Sequence, residues 1–573
     1  MPDLSPDQRI AGVLAPVFAL RGSQDLGVGD TLALREFATW AASHGLRVVQ
    51  ILPVNESGAD NSPYNIISSM ALDPTTIATF PDELPDLRKA DFKRITADFD
   101  LDALRASSVR YAEVKKLKRA LLDAAFATFE ERADDDRLTE FAEFIVEQDE
   151  WLAPYALYRA LVTFHNESEV FDQWPEEHRN REAAAAWLES LTEAERAHID
   201  RLAEFHRYVQ WIAFSQWRDA RAHCEALGVS LMGDVPVGVS IYSADVWSEP
   251  GIFDLTRSSG APPEKVFKSD PFTEKWGQNW GFPLYDWQAM SRDNFAWWRR
   301  RLRAMTDMFD LIRVDHALGF FRIYSFPWPP QRNAEFLDLN EEQARALTGG
   351  RLPGFIPRDD STPENEEQNR RHGEVLFKIM LEEIAAPRLI AEDLGTVAPY
   401  VRPVLEQLRI PGFKIPQWER PYDGAPSLTP GDAYPRLSLA TYATHDHPPV
   451  HTFWNAWFAL TQSPVEWEAR HAREEMNALL AFCGAPPLAT PHAFDATIHA
   501  ATMRGLMATN SWLAIPMITD ILGTEDRFNV PGAVGDQNWT ARLAATADEL
   551  DRDFRPQLKI LRQILAQTGR GAK

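Results

Sequence analysis

Residues 443–451 read ATHDHPPVH, with three histidines and one aspartate inside seven positions. Two chemistries fit such a cluster. A His-x-His pair beside a carboxylate is a metal-ligand pattern; alternatively, Asp446 is one acid of a catalytic set and the histidines are its neighbours. Three further carboxylates bear on the choice: Asp234 in GDVP, Asp315 in RVDH and Glu392 in AEDLG, each at the end of an apolar, β-branched run. A single acid at a strand end is commonly a helix cap or a structural ion-pair partner. Four acids ending four different runs are harder to explain that way. Arg313 and Asp315 are two apart and share one strand face, so the guanidinium keeps Asp315 ionised, as a nucleophile requires. Glu392 follows the apolar RLIA, surroundings that raise a carboxyl's pKa and keep it protonated. One ionised and one protonated carboxyl across a bond are what a retaining glycosidase uses.

Strand alternation weighs against the metal. Thr444 and Asp446 fall on one face of an extended strand, His445 and His447 on the other. If Asp446 faces a barrel lumen, the two histidines do not both aim at one ion there. In barrel metallohydrolases the His-x-His pair also comes from an early strand and is completed by further His or Lys ligands. The early runs of this chain contain no second histidine cluster.

The acids sit on a recurring pattern. Eight apolar runs are separated by longer stretches: GVLAPVF (12–18), RVVQILP (47–53), SLMGDVP (230–236), LIRVDHA (311–317), RLIAEDL (388–394), GFKIPQW (412–418), LSLATYAT (437–444) and LAIPMITD (513–520). Near-continuous apolar strands alternating with helices indicate a parallel sheet covered on both faces. Eight such strands close a (β/α)8 TIM barrel, whose chemistry sits at the C-terminal ends of the strands. A doubly wound open sheet is the competing α/β fold, but no Gly-x-Gly-x-x-Gly follows the first run. The predicted architecture is one catalytic barrel over 1–573 with large, mainly helical insertions and no separate C-terminal β-sandwich. Residues 66–228 carry helical periodicity in YAEVKKLKRALLDAAFATFEERA and AEFHRYVQWIAFSQWRDARAHCEAL, and are expected to form a helical subdomain between strands two and three. Residues 238–300, rich in Gly, Pro and Trp, are expected to wall the active site. Residues 320–387 form an insertion between strands four and five, with RDDSTPENEEQNRRHG read as a surface loop.

Composition narrows the function classes. A net charge of −25 disfavours nucleic acid and anionic membranes as partners. There is no apolar run of about 18 residues and no signal-like N-terminus. Cys224 and Cys483 lie far apart without a Cys-x-x-Cys spacing, so a cytoplasmic location is expected, with no disulfide framework. Nineteen tryptophans are a high count; such rings are usually core, although sugars also stack on them.

The motifs, in order, are similar to those of the 4-α-glucanotransferases (amylomaltases, or disproportionating enzymes; glycoside hydrolase family 77), relatives of the α-amylases. The similarity rests on GVLAPVFALRGSQDLGVGD, QILPVNESGADNSPYN, MGDVPVGVSIYSADVW, GAPPEKVF, WGQNWGFPLYDW, LIRVDHALGFFRIY, IAEDLG, ATHDHPP and RFNVPGAVGDQNW. The stretch from about 75 to 225 is similar only loosely. GQNWGFPLYDW and LGFFRIYSFP resemble the branch of plant cytosolic disproportionating enzymes most, here without room for their preceding starch-binding modules.

That resemblance implies roles. Asp315 is the nucleophile, Glu392 the general acid and base, and Asp446 the third carboxylate, gripping the hydroxyls of the reacting ring. Arg313 orients the nucleophile, and His316 and His445 hydrogen-bond the sugar. Tyr64, Asp234, Gln278, Trp280 and Asn529 match substrate-contacting positions. Three positions depart from the family: His447 stands where Asn or Leu is common, Glu264 where Asp is usual, and Asn65 where Gln is frequent. The expected activity is transfer of glucosyl, maltosyl or longer α-1,4-glucan segments to the 4-hydroxyl of an acceptor glucan or glucose, by double displacement with retention. No metal or cofactor is expected, and the partners are α-1,4-glucans, maltose, maltooligosaccharides and glucose, with no nucleic acid or membrane. An α-amylase-type hydrolase, a barrel metallohydrolase and a catalytically silent glucan-binding protein are the alternatives.

Overall fold

Eight short, largely apolar runs bury both faces only if the sheet they form is closed and covered. The computed structural model, which describes residues 4–571 apart from 107, 264–269, 423 and 532–537, contains that sheet. The strands in chain order are β1 (Ile10–Leu14), β2 (Val48–Gln50), β3 (Ser230–Val235), β4 (Phe253–Ala261), β5 (Gln278–Tyr285) and β6 (Leu311–Val314). They continue with β7 (Ile323–Phe326), β8 (Gly354–Ile356), β9 (Leu389–Ala391), β10 (Gly412–Lys414), β11 (Ser438–Ala440) and β12 (Leu513–Ala514). The barrel runs β1-β12-β11-β10-β9-β6-β3-β2 and closes. Its pairs are parallel, and each barrel strand overlaps one of the eight apolar runs. The fold is the predicted (β/α)8 barrel.

Between β2 and β3 the chain is mainly helical, with Tyr111–Arg132, Asp135–Phe164 and Glu193–Ala226 as the long elements. The last begins at a capping box in which Thr192 and Glu195 exchange hydrogen bonds. These helices meet through aromatic contacts, including Phe129 with Tyr208 at 5.2 Å and Phe141 with Trp211 at 5.3 Å. Two buried glutamines join Glu193–Ala226 to the loop after β2. Gln210 accepts from Leu72 N at 2.8 Å and donates to Leu72 O at 2.9 Å. Gln216 does the same for Ala78, at 2.8 and 3.1 Å. A side-chain amide carries the donor and acceptor that a buried loop backbone needs.

The strands that follow β3 and β6 were not legible as a unit. β4 and β5 from one connection pair with β7 and β8 from the other in a second, antiparallel sheet ordered β5-β4-β7-β8. Pro283 inside β5 argues against a strand in sequence terms, and β5 is an edge, where proline is tolerated. The stretch RDDSTPENEEQNRRHG departs from its expected loop: Thr362 caps a helix, Pro363–Glu383, which takes up all of it from Pro363 onward. A Thr cap, a proline at the first helical position and Glu364 and Glu366 in the first turn are the signals that this reading passed over. Glu264 lies outside the described residues. Among the described residues no helix is long and apolar enough to cross a membrane.

Replacing Gln210 by Met leaves Leu72 N and O unpaired in a buried place, at a cost of about 2 kcal/mol or more. The expected outcome is a lower Tm and faster amide exchange at Leu72, with barrel-strand amides unaffected at low denaturant.

Candidate active site

At the C-terminal ends of β3, β6 and β9 the parallel ladder continues past the last strand residues. Asp315 N donates to Val235 O, and Glu392 N to Val314 O, each at 3.0 Å. The two carboxylates are therefore placed by backbone bonds from neighbouring strands. Asp234 stands across from Arg313 in the β3–β6 register.

Arg313 is the centre of the cluster. Its Nη1 donates to both oxygens of Asp234 at 2.7 Å and lies 3.0 Å from Asp315 Oδ1. Its Nη2 lies 3.9 Å from Glu392 Oε2. The guanidinium is 3% exposed; burial alone would lower its pKa, but Asp234, Tyr64, Asp315 and Glu392 hold it well above the ordinary value. Tyr64 Oη donates to Asp234 Oδ2 at 2.6 Å. Both oxygens of Asp234 are thus engaged within the protein, and Asp234 itself is buried. Burial also raises the Tyr64 phenol's pKa, so it remains a donor.

Glu392 is held by its neighbour and by a strained turn. Asp393 points the other way, where it accepts from Phe413 N at 2.6 Å and from Arg402 Nε at 3.0 Å. A Cβ at Gly412 would lie 2.8 Å from Asp393 Oδ1, so only glycine leaves room for this anchor. Glu392 Oε2 accepts from the backbone N–H of His316 at 2.8 Å. His316 adopts φ 44, a left-handed conformation unusual for a residue with a Cβ. Burial pushes the Glu392 carboxyl well above the ordinary range; Arg313 and the His316 amide oppose this shift and Asp315 adds to it. Burial likewise lowers the pKa of the His316 imidazole.

Asp446 lies beyond β11, which ends at Ala440, so the strand alternation expected for 444–447 does not apply. In the turn, Thr444 Oγ1 meets His447 Nδ1 at 2.8 Å, and His445 Nε2 lies 3.3 Å from Asp446 Oδ1. Asn529 Nδ2 donates to Asp446 Oδ1 at 2.6 Å, and Arg527 Nη2 to its carbonyl at 2.8 Å. Burial would raise the Asp446 pKa, but His445, the Asn529 hydrogen bond and His447 together hold it below the ordinary carboxylate value. His447 itself is lowered to about 4 by burial. His445 stacks on Tyr64 with ring centroids 4.8 Å apart.

The antiparallel sheet supplies the opposite wall. Gly277, at φ 98, immediately precedes β5, and a Cβ there would lie 2.1 Å from Ala261 O. Trp280 follows, edge-on to His316 at 4.9 Å, with its Nε1 donating to Gln278 Oε1 at 3.2 Å. A continuous chain of contacts therefore links all the candidate residues, from Asn529 through Asp446, His445, Tyr64, Asp234 and Arg313 to Asp315 and Glu392, then His316, Trp280 and Gln278. Arg527 and Trp539 were not singled out from sequence, although both lie in the motif RFNVPGAVGDQNW. Trp539 packs 5.9 Å from Tyr64 and 5.8 Å from His445.

The three histidines of 445–451 do not converge. His445 faces Tyr64 and Asp446, His447 faces Thr444 and the Trp418 ring at 4.7 Å, and His451 lies 3.7 Å from Glu525. Among the described residues no group of three or more His, Cys, Asp or Glu side chains is placed around one metal position.

Comparison with known proteins identifies the family. The family model for 4-alpha-glucanotransferase matches residues 15–547. The 4-alpha-glucanotransferase of Chlamydia trachomatis serovar D is 29% identical over 562 residues, covering 96% of this chain and 93% of that protein. The 4-alpha-glucanotransferase DPE2 of Oryza sativa subsp. japonica is 34% identical over 331 residues, 56% of this chain and 32% of that protein. An amylomaltase from Streptococcus agalactiae, solved with acarbose, shares the fold, with a TM-score of 0.75 over 99% of this chain and 100% of that one, at 23% identity. The chain belongs to the 4-alpha-glucanotransferase family, glycoside hydrolase family 77, and is a 4-alpha-glucanotransferase acting on α-1,4-glucans.

Proposed function

We propose that transfer proceeds through a covalent intermediate on Asp315. Asp315 attacks the anomeric carbon of the donor ring while Glu392 gives its proton to the departing glycosidic oxygen. The shortened glucan leaves, and Glu392, now ionised, takes the proton of an acceptor 4-hydroxyl as that oxygen displaces Asp315. Two inversions give retention. Asp446 grips hydroxyls of the reacting ring and tightens as the ring flattens, with Asn529 and His445 orienting it. Asp234 and Tyr64 position Arg313, and Trp280, Gln278 and His316 face the sugar. Maltose and maltooligosaccharides are the proposed donors, and glucose and shorter glucans the acceptors. A reducing cytoplasm suits the two free, buried cysteines, Cys224 and Cys483, whose thiols burial pushes up to about 12.

The observation that carries this reading is one guanidinium placed against two carboxyls in different surroundings. Asp315 is in ion-pair contact with Arg313, whereas Glu392 is farther away, more buried and has its carboxyl pushed well above the ordinary range. Incubation with maltotriose, with products resolved by chain length, tests the reading as a whole: longer and shorter glucans at constant total reducing ends support transfer, and glucose and maltose alone with rising reducing ends refute it.

A fluorinated glucosyl donor is expected to label Asp315 of the wild-type protein, and Asp315→Asn to abolish labelling without a change in Tm; label on another carboxylate overturns the assignment. Glu392→Gln is expected to lose nearly all turnover of glucans yet keep first-step activity on a glucosyl fluoride, whose leaving group needs little protonation. Because Glu392 must hold its proton for the first step and its pKa is raised, activity persists to neutral pH and falls on the alkaline side as the proton leaves. With the fluoride donor, Glu392→Gln is expected to lack that alkaline limb.

Asp446→Asn is expected to lower kcat by about 10³, the equivalent of roughly 4 kcal/mol, with KM changed much less. His447→Ala is expected to lower kcat less than about tenfold, since its ring faces Thr444 and Trp418. Equal losses from the two variants count against the role given to Asp446.

A further inference from the structure

The helix that follows the Asp446 turn, Val450–Leu460, begins without a cap of its own: Pro449 occupies the N-cap position and provides no side-chain hydrogen bond. The cap comes from 70 residues further along the chain. Asp520 Oδ1 accepts from Val450 N at 2.8 Å, and Asp520 is fully buried. Asp520 sits in the short helix Ile518–Leu522 just beyond β12, and the same segment continues to Arg527 and Asn529. Those two residues hold the carbonyl and the carboxylate of Asp446. One chain segment therefore grips Asp446 directly, and through Asp520 it also grips the first turn of the helix on the other side of Asp446.

We propose that Asp520 is a positioning residue for the transfer reaction: by capping Val450–Leu460 from the β12 side, it sets the spacing at which Asn529 and Arg527 meet Asp446. This rests on the role given to Asp446 above. Asp446 has a side chain 38% exposed at the mouth of the barrel, so it needs such a frame. Its turn contains Pro448 and Pro449, whose fixed φ passes any shift of the helix start on to the turn. A mismatch of about 1 Å at a catalytic group is enough to lower the rate by about 10².

The groups around Asp520 are known. His499 Nε2, on the helix Ala496–Ala508, meets the Asp520 carbonyl at 2.9 Å, and His451 on the capped helix pairs with Glu525 at 3.7 Å. Tyr442, beyond β11, donates its phenol proton to Thr502 O at 2.7 Å. No salt bridge to Asp520 is found among the described residues, and burial raises its carboxyl to about 7, opposed by the backbone amides of Val450 and Met517. Asp520 Oδ1 accepts the Val450 amide proton, and asparagine reproduces that acceptor. The folded pKa exceeds the unfolded value of about 4, so this group's contribution to stability is complete below pH 4 and is lost as pH rises to about 7.

Three variants test the proposal by full kinetics on maltotriose. Asp520→Ala removes the acceptor. Val450→Pro removes the donor at the first helical position, where proline is tolerated and where Pro449, at ψ 158, already has a compatible backbone. Each is expected to lower kcat by about tenfold or more with KM moved less than about threefold, and the double variant to be no worse than the poorer single one. Asp520→Asn is expected to keep kcat within about threefold of wild type, and its Tm relative to wild type is expected to rise between pH 4 and pH 7. Asp520→Ala with wild-type kcat, a fully additive double variant, or Asp520→Asn as impaired as Asp520→Ala overturns the proposal. Should Asp520→Ala fail to fold, Val450→Pro and Asp520→Asn decide it by the same measures. If Asp446→Asn itself keeps its kcat, the reading of Asp446 fails; if only the Asp520 and Val450 variants do, this inference alone fails.

Discussion

A single buried guanidinium organises the mouth of this barrel. Arg313 has Asp234 and Asp315 in contact, Glu392 within 4 Å and the Tyr64 hydroxyl at 3.4 Å. One positive charge among three carboxyls in a poorly solvated site does not support three negative charges, because each unpaired buried charge is costly. Burial raises the carboxyls of both Asp234 and Glu392, and Arg313 opposes the rise at each. Asp234 gains most, through two short bonds from Arg313 and one from Tyr64. Glu392, at 3.9 Å, gains least. On the proposed assignment, the proton donor is the carboxyl that Arg313 holds at the greatest distance.

Burying such a cation requires a scaffold that does not relax around it. The ladder bonds that continue past β3 and β6 fix Asp315 and Glu392 by their backbones, and the Asp393 anchor beneath Gly412 turns Glu392 inward. The helices between β2 and β3 contribute at a distance: Gln210 and Gln216 hold the backbone of the loop after β2, the loop that carries Tyr64. Most of the large aromatic content belongs to this scaffold. Trp217, Trp247, Trp298, Trp328, Trp454 and Trp512 are fully enclosed, and only a few rings, such as Trp280 and Trp539, pack against site residues.

The barrel and its four acids were legible in sequence because a strand buried on both faces leaves a strong signal, an uninterrupted apolar run, and a barrel puts chemistry where such a run ends. Features that depend on long-range pairing were not. The β5-β4-β7-β8 sheet is built from two separate connections, and β5 contains Gly281 and Pro283, which a strand template rejects. The turn at 444–447 was read with strand parity one turn too far, because an apolar run does not mark where pairing stops. Asp520 ends its run as Asp315 does, yet its meaning depends on an amide 70 residues earlier, which no local pattern encodes. The helix Pro363–Glu383 was different, since its Thr-Pro-Glu start was present in the local sequence.

The geometry also distinguishes the two oxygens of Glu392. Oε2 accepts the His316 amide proton at 2.8 Å, a bond made by a backbone held in a left-handed turn and so unable to swing away. On the proposed mechanism, an oxygen committed as acceptor is the poorer place for the acid's own proton, which leaves Oε1 to carry it. The amide also limits how far burial raises the pKa, because it stabilises the ionised form that must exist between the two displacements. A carboxyl raised by burial alone would be a more reluctant acid in the first step, although a stronger base in the second. One fixed N–H moderates both states, and the strain at His316 is the local cost of keeping it aimed.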